Sequence, residues 1–242
     1  MIHLTRSKVG NAVVEAGARL LNIALPVNCV VCGKEGQYLC EGCESDLPVL
    51  QRPYCHLCAN PEVPQLCRWC FENSPRFDRA RAPYRYDGPV RQMVLDLKYR
   101  GVRIAAPPMA RLLARYLERN PYPVDVLMPV PLHPKRERWR GYSQSGLLCE
   151  ELSKLTGFPV NDTSLRRAKN TAPQVGMDSP EARRDNIAGA FDCAHDVEGM
   201  RVMLIDDVIT TGNTMSACAE ELKVGGAAEV WGLAFARQGS VT

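Results

Sequence analysis

Two adjacent carboxylates follow an apolar run near the carboxyl end of the chain, and a hydroxyl-rich turn comes directly after them. The stretch VMLIDDVITTGNT spans residues 202–214 and contains Asp206 and Asp207. Paired carboxylates accept hydrogen bonds from vicinal hydroxyls. The next residues open a predicted helix, where free backbone N–H groups and the helix dipole attract a phosphate. They are Thr210, Thr211, Gly212, Asn213 and Thr214. These residue types predict a sugar-phosphate site.

The same stretch admits two other interpretations. Asp206 and Asp207 could serve only as metal ligands, and the threonines could form an ordinary helix cap. A Thr-Thr-Gly sequence alone is weak support for a binding site. The complete string over 202–214 is far more specific, and it favours the sugar-phosphate interpretation.

A second set of residues could bind metal. Eight of the 11 cysteines form four Cys-x-x-Cys pairs. The pairs are Cys29/Cys32, Cys40/Cys43, Cys55/Cys58 and Cys67/Cys70. Two intervening residues let both sulfurs face one ion, so two pairs complete a tetrahedral thiolate site and four predict two structural zinc ions. We expect pairs that are adjacent in sequence to share an ion, with Gly33 and Gly42 at positive φ in the tight turns.

Three other chemistries compete with zinc for these cysteines. Disulfides need an oxidising compartment, and no export signal is recognisable. A redox Cys-x-x-Cys usually occurs once, and the ribbon-like spacing favours zinc over an iron–sulfur cluster. We interpret the segment as a structural module, with a nucleic-acid or protein surface at Arg68 and Trp69 as the alternative. The other cysteines, Cys149, Cys193 and Cys218, are predicted core residues.

Basic residues concentrate in two segments with little apolar periodicity. The first contains Lys135, Arg136, Arg138 and Arg140, interleaved with Trp139 and Tyr142. Such density suits a pyrophosphate group or a nucleic-acid backbone. The second segment contains Arg167 and Lys169, and we interpret it as a mobile flap, with an ordinary surface loop as the alternative. For Lys98 a phosphate contact is the alternative to a solvated charge.

Composition narrows the class of protein only moderately. The 242 residues and a formal charge of +3 suit a catalytic domain with a small appended module, and they neither demand nor exclude nucleic acid. The stretch NAVVEAGARLLNIALP is apolar, but Glu15 and Arg19 interrupt it. We therefore predict a docking helix in a cytoplasmic protein without stable membrane insertion, and weak membrane-surface attachment is the alternative.

The elements that must position these residues alternate between strand and helix. We predict a strand over 80–86, a helix over 89–99, a buried strand over 124–130 and a long loop over 131–142. A strand over 202–205 ending at the two aspartates, a helix and a final strand follow. This alternation predicts an α/β domain with a largely parallel sheet. Ligands of such sheets collect at the carboxyl ends of the strands, so the 131–142 and 206–214 segments should share one edge.

The string over 202–214 closely resembles the fingerprint of type I phosphoribosyltransferases, which bind 5-phosphoribosyl-1-pyrophosphate (PRPP). Two further stretches, PVPLHPKRERWRGYSQSGLLCEELS from Pro129 and RRAKNTAPQVGMDSPEARRDNIAGAF from Arg166, resemble the ComF family of competence-related proteins. The cysteine-rich front end resembles the double zinc ribbon that many ComF proteins carry. The resemblance extends from about Cys29 to Ala236. After the docking helix predicted over 1–27, it implies a double zinc ribbon over 28–75 and a type I phosphoribosyltransferase-like domain over 76–242.

The resemblance also implies roles for individual residues. Asp206 and Asp207 would hold the ribose hydroxyls and act as the catalytic carboxylates, the turn over 210–214 would hold the 5′-phosphate, and Mg²⁺ would accompany PRPP. The two basic segments would face the pyrophosphate. Two functions stay open: phosphoribosyl transfer in nucleotide metabolism or DNA uptake, and PRPP or nucleotide binding without transfer. In the second, the chain is an accessory protein of natural transformation that binds single-stranded DNA and DNA-uptake proteins.

Overall fold

The computed structural model describes residues 27–168, 189–193 and 197–239. The chain divides into two compact units, Met1–Asp46 and Leu47–Thr242. The predicted docking helix lies outside the described residues except for Val27, and so do Lys169 and most of the predicted flap. The predicted division at 28–75 and 76–242 stays a prediction. The boundary between the compact units falls between the second and third cysteine pairs.

The described part of the first unit is a short antiparallel turn followed by helix α1, Glu41–Glu44. Asn28 bridges Glu35, and Gly33 between them has φ 74°, a conformation that strains any residue with a side chain. The expectation for Gly42 is wrong, because Gly42 lies inside α1 and has no positive φ. A helical turn, rather than a left-handed residue, separates the second pair of cysteines.

The second unit begins with a cysteine-containing segment over 47–75, which we call the second ribbon. It contains helix α2, Arg68–Asn73, which ends at Ser74. Backbone hydrogen bonds join the ribbon to the following chain: the Ala80 N–H donates to the Leu57 carbonyl at 2.7 Å, the Leu50 N–H to the Pro83 carbonyl at 2.8 Å and the Arg85 N–H to the Pro48 carbonyl at 2.8 Å. The ribbon is therefore part of the same compact body as the sheet.

A parallel sheet forms the centre of the second unit. The strands are β1 Arg79–Arg81, β2 Tyr84–Arg85, β3 Val126–Pro129, β4 Leu165–Arg167, β5 Phe191–Cys193, β6 Arg201–Ile209 and β7 Glu229–Arg237. Among the described residues, β1, β7, β6 and β3 lie side by side in that order, β2 also pairs with β7, and all these pairings are parallel. Strands β4 and β5 form a separate antiparallel pair. The predicted α/β class with a mostly parallel sheet is confirmed.

Helices alternate with these strands. They are α3 Gly88–Tyr99, α4 Ala106–Arg119, α5 Pro134–Arg140, α6 Gln144–Thr156 and α7 Asn213–Val224, with a 3₁₀ turn at Arg103–Ala105. Asp87 caps α3 by accepting the Gly88 N–H at 2.8 Å, and Gly157 ends α6 in the left-handed region. The inward face predicted for α3 is confirmed, since its four apolar residues are fully buried. They are Val90, Met93, Val94 and Leu97.

Three predicted elements differ from the structure. The strand over 80–86 is two short strands, β1 and β2, separated at Pro83, which cannot donate to a ladder. The predicted loop over 131–142 contains α5, which has no buried residue and therefore shows no apolar periodicity. Strand β6 continues through both aspartates to Ile209, because Val208 and Ile209 are buried and extend the apolar run.

One apolar core joins the sheet, helix α7 and the second ribbon. It includes Phe77, Leu204 and Met215 together with the four ribbon cysteines. Cys149, Cys193 and Cys218 are buried as predicted. Across the described ranges, none of the helices combines the length and apolar character needed to cross a bilayer.

Candidate functional site

Two sets of four cysteines bring their sulfurs together. Within each set all four sulfurs lie within 4.8 Å of one another, and each set consists of pairs adjacent in sequence, which confirms that expectation. The first cluster is Cys29, Cys32, Cys40 and Cys43, and the second cluster is Cys55, Cys58, Cys67 and Cys70. Four sulfurs at this separation fit the tetrahedral thiolate set of a structural zinc ion. The two predicted zinc sites therefore both have a complete set of ligands.

Asp207 lies in β6 and is 3% exposed. Its carboxylate forms an ion pair with the Lys98 ammonium at 2.7 Å, at the last turn of α3. Burial by itself would lower the pKa of Lys98, but the charges of Asp207 and Asp206 raise it overall. Lys98 therefore stays protonated and neutralises part of the negative charge of the aspartate pair.

Asp206 is only partly buried and has different partners. Its carboxylate accepts the Ser145 hydroxyl at 3.0 Å and the Asp207 N–H at 2.8 Å. Burial, together with the charge of Asp207, raises the pKa of Asp206 to about 7, although Lys98 acts in the opposite direction. Asp206 is thus the acid of the pair whose charge changes near neutral pH.

The turn after β6 leads into α7 through Gly212. Gly212 has φ 96°, and its carbonyl accepts the Ser216 N–H at 2.9 Å. Asn213, 7% exposed, starts the helix, and its side-chain Nδ2 has no hydrogen-bond partner among the described residues. The glycine conformation and the helix start give this turn the features of an anion-binding site.

The edge that carries the aspartates also carries the first basic segment. Because β3 and β6 are parallel, with Pro129 opposite Ile205, the chain leaves both strands on the same side. The hydrogen bond from Ser145 to Asp206 brings the start of α6, which follows the 131–142 segment, against the aspartates. Two more buried side-chain nitrogens, Gln144 Nε2 and Arg140 Nε, have no partner within the described ranges. Buried donors without a protein partner suit a ligand rich in acceptor oxygens.

The basic residues of α5 and Arg167 act on one another electrostatically. His133 Nδ1 accepts the Lys135 N–H at 3.1 Å at the start of α5. Burial lowers the pKa of His133, and so do the charges of Arg167 and of three basic residues of α5. Burial and the charge of Arg136 likewise lower the pKa of Arg167, which stacks on the Phe191 ring at 5.3 Å. Arg167 and α5 therefore approach each other although they are distant in sequence.

Arg140, like Lys98, interacts electrostatically with Asp207. Burial lowers the pKa of Arg140, while the charge of Asp207 opposes that shift. The Arg140 guanidinium also lies over the Tyr99 ring at 5.5 Å. Sequence reasoning left Lys98 as an alternative phosphate contact and missed Ser145. The only sequence signal for Ser145 is its place in the first turn of a helix that directly follows a basic segment.

Trp69, which we considered as an exposed stacking platform, is half-buried against the candidate site. Its ring carbons Cη2 and Cζ3 lie 3.2 Å from the place that a Cβ on Gly212 would occupy. Arg68 remains on the surface in an ion pair with Glu72 at 2.6 Å. Trp69 therefore supports the turn from within the second unit.

Comparisons with known proteins match both parts of the chain. A model of the double zinc ribbon domain matches residues 20–72, and a model of the phosphoribosyl transferase domain matches residues 147–240. Competence protein F of Haemophilus influenzae is 32% identical over 211 residues, which cover 82% of this chain and 90% of that protein. The chain belongs to the ComF family.

Two further similarities accompany this ComF membership. DNA utilization protein YhgH of Salmonella typhi is 34% identical over 188 residues, which cover 74% of this chain and 81% of that protein. The solved structure of glutamine phosphoribosylpyrophosphate amidotransferase from Bacillus subtilis is 21% identical with a TM-score of 0.36, over 52% of this chain and 25% of that one. The family membership rests on the first two relatives and the domain models.

Proposed function

We propose that this ComF protein binds PRPP with Mg²⁺ at the edge formed by the ends of β3 and β6. The observation that carries the proposal is the succession of Asp206, Asp207 and a glycine-containing helix start, surrounded by basic side chains. The match to the phosphoribosyl transferase domain over 147–240 supports it. Asp206 and Asp207 hold the ribose hydroxyls, and the turn over 210–214 holds the 5′-phosphate.

The pyrophosphate group of PRPP lies against the basic residues in this proposal. Those residues are Lys135, Arg136, Arg138, Arg140 and Arg167, together with Lys169 outside the described ranges. Mg²⁺, when bound, supplies charge neutralisation for the pyrophosphate oxygens. For transfer, the bond from the anomeric carbon to pyrophosphate breaks, its electron pair leaves with pyrophosphate, and an acceptor nucleophile forms the new bond. The aspartates would stabilise the positive charge that develops on the sugar.

The binding proposal is tested with Asp206→Asn. The amide keeps the size of the side chain and still accepts from Ser145, whereas Asp207→Asn would leave the Lys98 charge buried and unpaired. We expect Asp206→Asn to weaken PRPP binding on the order of 100-fold in titration calorimetry, in line with loss of a charge-assisted pair. Asp162→Asn, at an exposed carboxylate, is the matched control. Unchanged affinity in Asp206→Asn would show the site assignment to be wrong.

The pH dependence of binding is a second readout. With its pKa near 7, Asp206 is largely protonated below neutral pH and ionised above it. Binding of PRPP with Mg²⁺ should therefore strengthen between pH 6 and 8 by about tenfold, the gain expected when one ligand carboxylate becomes fully charged. The Asp206→Asn variant should lose this dependence. Product formation from a panel of nucleobases and amines separates transfer from binding alone.

A second candidate function, binding of single-stranded DNA, is favoured by α5. Trp139 is 76% exposed, and Lys135 and Arg138 beside it are also exposed. Exposed aromatic rings among cations suit stacking of unpaired bases. The relatives' names, a competence protein and a DNA utilization protein, agree with this candidate. Salt-sensitive binding of an oligothymidylate that Trp139→Ala weakens about fivefold would support it; binding unaffected by salt and by the substitution would reject it.

The proposal also includes the cellular compartment and the protein partners of the chain. We propose that the chain works in the cytoplasm, because each described cysteine is a free thiol and thiolate metal sites persist in reducing compartments. DNA-uptake proteins are the proposed partners, in accordance with the names of the relatives. Co-purification of uptake proteins from competent cells, lost in a strain without this chain, tests the partnership.

A further inference from the structure

Arg237 connects the second cluster to the proposed phosphate-binding turn. It is 1% exposed at the end of β7. Its Nε donates to the Cys58 carbonyl at 3.1 Å, and its Nη2 lies 3.7 Å from the Cys58 sulfur. Its Nη1 donates to the Ile209 carbonyl at 3.1 Å and to the carbonyl of Thr210. One guanidinium therefore contacts a cluster ligand on one side and the start of the turn on the other.

The charge of Arg237 has no carboxylate partner within ion-pair distance in the part of the chain that the structure describes. A buried cation of this kind needs compensation from dipoles or from an anion. Backbone carbonyls supply the dipoles. Four thiolates around one divalent ion carry a formal charge of roughly −2, so the metal-loaded second cluster supplies the anion.

Trp69 makes a second connection between the cluster and the turn. It lies between two cluster ligands, Cys67 and Cys70, in α2. Its ring packs closely against Gly212, with ring carbons 3.2 Å from the Cβ position. Met215, in the first turn of α7, belongs to the same apolar core as the cluster cysteines. The turn is therefore held from the cluster side at both of its ends.

We propose that Arg237 and Trp69 are positioning residues that couple metal binding at the second cluster to ligand binding at the turn. This inference rests on the proposed function of the turn as a phosphate site. The bound metal fixes the cysteines of the second cluster, and the charge of the metal–thiolate group balances the charge of Arg237. The turn then keeps its amide groups aligned. Such coupling is reciprocal, so bound PRPP raises the zinc affinity of the second cluster by the factor by which zinc raises PRPP affinity.

The first experiment follows the turn without any ligand. Hydrogen exchange of the full zinc-loaded chain is compared with that of Arg237→Gln and of Trp69→Ala, for peptides covering 208–216 and 147–156. We expect about tenfold faster exchange at 208–216 in both variants and no change at 147–156. Arg237→Lys keeps the charge without the planar fork and should be intermediate. Unchanged exchange at 208–216 overturns the inference, whether or not PRPP binds.

The second experiment measures the coupling itself. At equilibrium, the competition of a chromophoric chelator of known affinity for zinc is measured with and without PRPP and Mg²⁺, and we expect PRPP to raise the zinc affinity of one of the two clusters about tenfold. Arg237→Gln should lose this effect and bind PRPP about tenfold more weakly. The matched control is Arg81→Gln, whose guanidinium donates to the His56 carbonyl of the second ribbon at 2.7 Å but has no described bond to the turn. It should keep both properties.

The two experiments distinguish the failures. If exchange responds to Arg237→Gln but the wild-type chain does not bind PRPP, the proposed ligand is wrong and the connection to the turn stands. If PRPP binds and Arg237→Gln changes neither the PRPP affinity nor the effect of PRPP on zinc affinity, the coupling is wrong and the proposed function stands. If Arg81→Gln lost both properties to the same extent, the effect would come from packing of the ribbon in general and not from Arg237. That result also overturns the inference.

Discussion

The two cysteine clusters have the same ligands and different surroundings. In the first cluster Cys32 is exposed and Cys40 is half-buried, while Cys29 and Cys43 are buried. In the second cluster all four cysteines are buried, and the sheet and α7 share their core. The described part of the first unit, residues 27–46, has little apolar surface to bury, so its fold depends on metal. The comparison teaches that the same four-cysteine metal site can either hold a small module together or form part of the core of a larger domain.

The largest expected difference concerns loss of a ligand from each cluster. Cys58→Ser removes a fully buried ligand beside Arg237, so it should destabilise the second unit by more than about 4 kcal/mol or prevent its folding. Cys32→Ser, at an exposed ligand, should remove zinc from the first cluster and leave the main unfolding transition in place. Calorimetry and zinc analysis of both variants provide the measurement. Equal loss of stability in Cys58→Ser and Cys32→Ser would contradict the different structural roles of the two clusters.

Two aromatic residues of α2 sharpen the comparison further. Trp69→Ala opens a cavity next to Gly212 and should destabilise the second unit by about 2–3 kcal/mol. Phe71→Ala, two residues on and 75% exposed, should stay within about 0.5 kcal/mol of wild type. Urea unfolding of the two variants measures the difference. Similar costs would mean that the ring of Trp69 is not part of the core.

A chelator should remove the zinc ions from the two clusters one after the other. Because one ligand of the first cluster is exposed, a chelator should remove that zinc at least about tenfold faster than the zinc of the second cluster. Native mass spectrometry after timed exposure should therefore show two zinc ions at first, then a long-lived species with one. A single concerted loss of both ions would contradict the contrast in burial.

The smallest expected effect belongs to a glycine of the first cluster. Gly33 has φ 74° and open space around its Cβ position, so Gly33→Ala should cost about 1 kcal/mol of backbone strain and no packing. The zinc affinity of the first cluster should fall by about fivefold, the equivalent of that strain. Competition with a chelator of known affinity measures it. An unchanged affinity would show that the loop relaxes around the new side chain.

Much of this architecture could be predicted because local patterns determine it. The pairing of cysteines follows from their spacing, and the buried face of α3 follows from its apolar period. Helix α5 was not predicted because it has no apolar face, and none of its residues is buried in the core. Its proline at the first turn and the capping His133 were the signals available.

The sequence predicts which residues form the candidate site, but it does not predict which other side chains contact them. The Asp206–Asp207 pair and the turn are contiguous in sequence, so a short string reveals them. The Lys98–Asp207 ion pair and the Ser145–Asp206 hydrogen bond join residues that are distant in the chain, and only the parallel packing of β3 on β6 brings α6 to the acids. The role of Trp69 depends in the same way on tertiary packing against Gly212.

The contact between Cys58 and Arg237 spans 179 positions of the chain, and this separation has a consequence during synthesis. At elongation rates of about 5–20 residues per second, Cys58 leaves the ribosome on the order of ten to forty seconds before the strand that carries the arginine. A nascent chain would meanwhile present four unprotected thiols to cellular metals and oxidants. Capture of an ion at that stage would prepare a negatively charged pocket, into which the last strand then delivers its cation.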